Sequence, residues 1–274
     1  MLADAIAAEA FRARRSGGVL FWGFIAVPFA VLTFNLMLSS WIALHMRMPV
    51  PLDLGRQVVG GVALTGSAFF QVFYAAAAAT MFAADYRWET WRLITPRNSR
   101  ASLILARFAV YGAGCAGSLV LLGLAALVQC AYGALIGSAA LVPPQGPFLL
   151  PLIGTFLTGW CELMVLGGIV AVIAIAFRAA LGALMTAMVF AVGQWVAMAM
   201  VHPWEAPFSW YAALPRLSAY VLRAFVTGQE LAPGIAAGAG QGQAGVAALC
   251  LVGWMLLLGG CAVGLFQAQE LARE

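Results

Sequence analysis

Six apolar stretches, near residues 19–41, 58–84, 104–133, 148–177, 181–200 and 244–266, alternate along the chain with short polar punctuation. Each approaches or exceeds the roughly 20 apolar residues with which a helix crosses a bilayer. The pattern predicts an all-α polytopic membrane protein with six transmembrane helices in one domain, 1–274. No charge occurs from Phe108 to Cys161, a run too long for one crossing. The break belongs at "LVPPQGP", where Pro143, Pro144 and Pro147 stop helices. Only Arg178 divides the fourth and fifth stretches, which predicts a tight boundary there.

Composition agrees with the pattern. Hydrophobic residues make up 64% of the chain and the mean hydropathy is +0.97, against about 45–50% apolar residues in soluble domains. Asp4 and Glu9 precede Arg12, Arg14 and Arg15, and the apolar run behind them exceeds a signal-peptide core. Residues 1–18 therefore read as a cytoplasmic interfacial helix ahead of an uncleaved first span.

Arginine placement sets the expected orientation. Three arginines precede the first span, five lie in or beside the 85–107 loop, and Arg178 and Arg273 fall on the same side; Arg47, Arg56, Arg216 and Arg223 fall opposite. The positive-inside rule then puts both termini in the cytoplasm. Trp41, Trp204, Trp210, Tyr211 and Tyr220 stand near span ends on the outer side, where amphipathic rings favour the headgroup layer. The net charge of +4 records topology and implies membrane lipids, not nucleic acid, as the neighbour.

Absent residue types exclude chemistry. All fourteen basic residues are arginine, so a P-loop nucleotide site and Schiff-base catalysis, which both need lysine, are ruled out. The chain reads as a non-enzyme with no cofactor of its own. His45 and His202 lie in outer loops and no G-x-S-x-G occurs, which argues against an intramembrane hydrolase. "HMRM" and "MAMVH" bring histidine and methionine near the outer face, but their spacing fits no defined metal site. Cys115, Cys130, Cys161, Cys250 and Cys261 form no C-x-x-C pair and read as small buried apolar residues.

Glu162 is the only acid deep in a predicted span. A charge there is costly unless paired, protonated or hydrated. It is either a substrate- or proton-pathway residue or a structural hydrogen-bond acceptor for Asn35, Gln71, Gln129 or Gln194 of neighbouring spans. No second acid and no basic residue is expected at its depth, which favours the structural role. In the long outer segment, 202–243, a helix over Leu214–Val226 would place Leu217, Val221 and Phe225 on one face and Arg216 and Arg223 on the other. That pattern suits a helix lying on or dipping into the outer leaflet.

The densest polar segment is "DYRWETWRLITPRNSR", 85–100, with six charged residues in sixteen. As a helix it gathers Asp85, Glu89 and Arg92 on one face and Trp88, Trp91 and Ile94 on another. Pro96 ends it, and Asn98 or Ser99 is placed to cap the helix behind. The tryptophans suit packing against the bundle and the charges suit a soluble partner; the alternative is an interfacial anchor that only fixes topology.

This segment resembles the loop after the second span of ABC-2 type ABC transporter permeases, whose common form is E-x-x-x-G-T-x-x-x-L-L-x-x-P-x-S-R. Glu89-Thr90 and Leu93-Ile94 stand in the corresponding region, with Glu89 in place of the glycine, and Pro96, Ser99 and Arg100 keep the end of the pattern. The N-terminal "AEAFRARRSG", six spans with both ends inside and the long outer segment extend the likeness over the whole architecture. The resemblance implies a coupling helix at 85–100 docking on a separate nucleotide-binding subunit that binds ATP and Mg, short re-entrant helices in the outer segment, and a second permease copy or paralogue. It also implies residence in a bacterial inner membrane and a substrate that is exported. The competing expectations are a non-transport membrane scaffold or assembly subunit, and an ion-coupled carrier using Glu162.

Overall fold

The computed structural model describes residues 2–45, 49–87, 99–144, 146–200, 208–228 and 241–269. Among them, the helices are α1 (Leu2–Arg15), α2 (Gly17–His45), α3 (Leu54–Ala63), α4 (Ala68–Arg87), α5 (Arg100–Leu135), α6 (Leu149–Phe177), α7 (Ala180–Met200), α8 (Phe208–Ala213), α9 (Pro215–Thr227) and α10 (Gln241–Ala268). Five are long and apolar enough to cross a membrane, and the bent pair α3 and α4 brings the number to six if the two together form one crossing. Phe29, Phe34, Met37, Val189, Leu249 and Leu256 are exposed on the bundle's surface, as lipid-facing side chains are.

The helix boundaries have local causes. Within α2 a π turn at Phe21–Ile25 precedes Pro28, which lacks the N–H that would bond to the Phe24 carbonyl. Ser99 caps α5, its hydroxyl accepting from the Ser102 N–H at 3.3 Å. The α6–α7 boundary is a left-handed residue, Arg178, at φ 54°. Asp53 caps α3 by accepting from the Arg56 N–H at 3.1 Å.

The second apolar stretch departs from the continuous span expected at 58–84. It is broken by a 3₁₀ turn at Leu64–Gly66 and an extended Ser67, and the two halves bend by 61°. Thr65, Gly66 and Ser67 are poor helix formers, and the turn releases the carbonyls of Thr65 and Gly66 from the helical ladder. A second departure from an all-α chain is a short parallel pair, β1 (Val50–Asp53) with β2 (Ala139–Val142), in register from Val50–Ala139 to Asp53–Val142. It ties the segment before α3 to the segment before α6.

The core centres on α6, which packs against α4, α5, α7, α9 and α10. Leu163, Val170, Ala171, Ala174 and Ile175 are fully buried. Close approach depends on glycine: a Cβ at Gly168 would lie 2.8 Å from the Leu258 Cβ, and Gly167 sits against the Tyr111 ring. Several polar groups between α4, α5 and α6 are paired. Trp160 Nε1 donates to the Gly112 carbonyl at 2.9 Å, Tyr111 Oη to Leu163 O at 3.1 Å, and Tyr74 and Ser118 share a 2.8 Å bond. Cys115 and Cys130 are buried, whereas Cys161 and Cys250 are half-buried and Cys261 is exposed, so the cysteines are not uniformly core residues.

Candidate functional site: a buried arginine cluster under a broken span

At the bundle end that carries β1 and β2, α9 folds back into the protein between the last two spans. Pro215 starts it and Gly228, at φ 60°, ends it in the left-handed conformation. Leu217, Ser218 and Val221 are buried against α6, α10 and neighbouring residues. The opposite face does not meet water as expected. Arg216 and Arg223, seven residues apart and therefore on one side of the helix, turn inward to the break between α3 and α4. Phe225, placed with Leu217 and Val221 on the apolar face, is exposed while those two are buried. Tyr211, expected at the outer surface, is buried, while Trp41 and Trp210 are exposed.

The break supplies acceptors and the arginines use them. Arg216 Nη2 donates to the Gly66 carbonyl at 2.5 Å, and its backbone N–H donates to Gln194 Oε1 at 2.9 Å. Gln71 Nε2 donates to Glu162 Oε1 at 2.8 Å and to the Thr65 carbonyl at 3.4 Å. Arg223 Nη2 donates to Glu162 Oε2. An unmade backbone bond at membrane depth is costly, so these side chains stabilise the break while the break orients them. Glycine leaves room for close approach here: a Cβ at Gly66 would lie 2.5 Å from Arg223 Nη1 and displace the guanidinium, and one at Gly159 would lie 3.0 Å from Thr65 Oγ1.

Glu162 stands 13 residues after the start of α6, roughly 20 Å along the helix axis. The expectation that no basic group reaches it is wrong. Arg223 arrives from a segment 61 positions away in sequence, on a helix that hydropathy alone does not place inside the bundle. Of the amide partners considered for Glu162, Gln71 is the one that bonds it. Gln194 serves Arg216, and half-buried Asn35 and Gln129 are not among the partners of Glu162. Burial lowers the pKa of Arg216, Glu162 opposes that shift and Arg223 adds to it.

At the opposite end Arg107, fully buried in α5, donates from Nε and Nη2 to Glu9 Oε1 of α1, both at 3.4 Å, and from Nη1 to the Met81 carbonyl at 2.8 Å. Arg100 Nη1 donates to the carbonyls of Gln267 at 2.9 Å and Gln269 at 2.6 Å. Gln269 in turn accepts from Tyr86 Oη at 2.9 Å and donates to the Ile175 carbonyl at 2.6 Å. The start of α5 and the ends of α4, α6 and α10 are thus tied together beside α1.

Asp85 belongs to the last turn of α4 by its backbone. Trp88, Glu89, Trp91, Arg92 and Pro96 lie outside the described residues. His45 stacks on Trp41 at 4.8 Å between ring centroids, and no group of three or more metal-ligating side chains occurs among the described residues.

Length, apolarity and packing define a polytopic α-helical membrane protein with a polar, arginine-bearing cluster buried at one end of its bundle. No protein-family model matches the chain, and no curated protein matches it.

Proposed function

We propose that this chain is the permease subunit of an ABC transporter, with ATP and Mg bound by a separate ATPase subunit. The observation that carries the reading is α9, a short helix folded back into the bundle between the last two spans and packed on the most buried span, α6. Short re-entrant helices in that segment are what the resemblance implies. The start of α5 gives further support. Arg100, the last residue of the family-like motif, clasps the end of α10, so movement of the 85–100 segment would be passed to the last span. In this reading the charges of Asp85, Glu89 and Arg92 would meet the ATPase in the cytoplasm and Trp88 and Trp91 would pack toward the bundle.

The protein would reside in a bacterial inner membrane with both termini cytoplasmic and act on an exported substrate. A second copy or a paralogue would complete the permease; Gly253, Gly260 and Gly264 of α10 meet nothing within 4 Å of a built Cβ, leaving room for another helix to approach closely.

Purification of the tagged full chain from its native membranes in mild detergent tests the reading. Co-purification of a P-loop ATPase is expected, and alanine at Asp85, Glu89 and Arg92 together should lower its recovery without lowering the melting temperature. Docking charges steer and select partners, whereas exposed ion pairs add only about 0–1 kcal/mol to stability. Full transport and partner recovery in the triple variant, or recovery without any ATPase, would refute the assignment.

A further inference from the structure

The cluster under α9 holds two guanidinium groups against one carboxylate. Among the described residues, Glu162 and Arg223 are the charges that face Arg216, so one positive charge is left over there in a largely buried place. Among the described residues, Arg216 Nη1 and Arg223 Nε on α9 and Thr155 Oγ1 on α6 are buried polar atoms with no hydrogen-bond partner. Thr155 is fully buried on α6, two turns before Glu162 and one before Gly159, and so shares the α6 face over which Arg223 lies. A structural pair that leaves guanidinium donors idle inside a membrane protein lacks the compensation such burial requires.

We propose that Arg216, Arg223 and Thr155 form a binding site for one oxyanion group, a phosphate or carboxylate. Guanidinium forks match the geometry of such groups, and bonds between two ionised partners are the stronger kind. A hydroxyl completes the set by donating to the anion. One surplus positive charge selects a single negative one.

Space for the rest of a ligand adjoins the cluster. A cavity of about 660 Å³ opens at the same end of the bundle, within the size range of small-molecule sites. Leu150 and Pro151 line it one turn before Thr155, and Phe225, Val226 and Thr227 line it just after Arg223. Val226 packs on Gly154 between the cavity and the guanidinium groups. Asp53, Arg56 and Thr227 line the cavity together with these apolar side chains, so its wall is mixed and offers room for the remainder of a molecule that carries the anion. The inference does not rest on an ATPase partner, because binding is read on this chain alone.

The test is calorimetric titration of the full chain in maltoside detergent with dodecyl phosphate, with inorganic phosphate and with uncharged dodecanol. Saturable binding of dodecyl phosphate is expected, weakened about tenfold or more by Arg216→Gln and by Thr155→Val, in line with lost bonds to a charged group. Glu162→Gln should strengthen it, because the competing carboxylate charge is gone; a purely structural cluster would give no such gain. Equal binding of inorganic phosphate would keep the anion site and assign it to free ions, whereas binding only of the tailed probe assigns it to amphiphiles. Melting temperatures identify any variant that misfolds, and Thr155→Val, which removes no charge, keeps the test decisive if Arg216→Gln fails to fold. No saturable binding, or binding indifferent to all three substitutions, would overturn the proposal. So would anion binding that appears only after Glu205→Gln or Glu230→Gln, because one of the chain's own acids would then be the occupant.

Discussion

Arg107 and Arg223 are both arginines drawn into the helix bundle by a glutamate from another element, yet they leave different surroundings. Arg107 spreads its donors over Glu9 and the Met81 carbonyl, and none of its nitrogens is among the buried atoms without a partner. Arg223 and its neighbour Arg216 share one carboxylate and the carbonyl of a broken helix, and each keeps an idle donor. The first arrangement is closed and holds α1 against the start of α5. The second is open, adjoins a cavity and sits where a span is interrupted. A buried ion pair therefore says little until its donors are counted: full satisfaction marks a fastening, and surplus donors mark a place for something else.

The sharpest way to break the contrast is Arg107→Leu. It leaves Glu9 with Arg12 as its remaining cationic partner, 3.4 Å away, and frees the Met81 carbonyl; loss of one partner from a buried pair costs about 3–5 kcal/mol. A fall in melting temperature on the order of 10 °C in detergent is expected for a chain of this size. An unchanged melting temperature would mean that the clasp is not structural.

Glu162 should respond more mildly and in a graded way. Glu162→Gln keeps acceptor capacity for Arg223 and so should destabilise less than Glu162→Leu, which leaves an unpaired guanidinium and an unanswered Gln71; a gap of about 1–3 kcal/mol between the two is expected from thermal unfolding. Equal and complete loss of transport in both variants, with normal folding, would favour the ion-coupled carrier instead.

Much of the fold was legible because its signals are local. Hydropathy placed the five membrane-length helices and the apolar stretch of the bent α3–α4 pair, the prolines at 143–147 placed the α5–α6 break, and Ser99 and Arg178 marked helix ends that the structure places there. The interruption at Thr65-Gly66-Ser67 went unread because three small residues barely lower the hydropathy of a long apolar run; only the loss of helical hydrogen bonds reveals it. The β1–β2 pair joins residues almost ninety positions apart, beyond any local pattern. For the site, the sequence singled out Glu162 and Gln71 and separated Arg216 and Arg223 onto one face of a helix. It assigned that face to water, because an amphipathic pattern does not say which side the bundle covers. Thr155 and Gly159 carried no signal of their own and acquire meaning only once α9 lies over them.

The proposed function gives the two ends different compartments, with the 85–100 segment facing the ATPase and the arginine cluster facing outward. Single cysteines introduced into a cysteine-free background, at Gln145, Gln229, Asn98 and Glu270, and probed on intact cells with a membrane-impermeant maleimide, test that division most directly. Labelling at Gln145 and Gln229 with protection of Asn98 and Glu270 is the expected result; labelling of Asn98 from outside would contradict the orientation and, with it, the docking role of the segment.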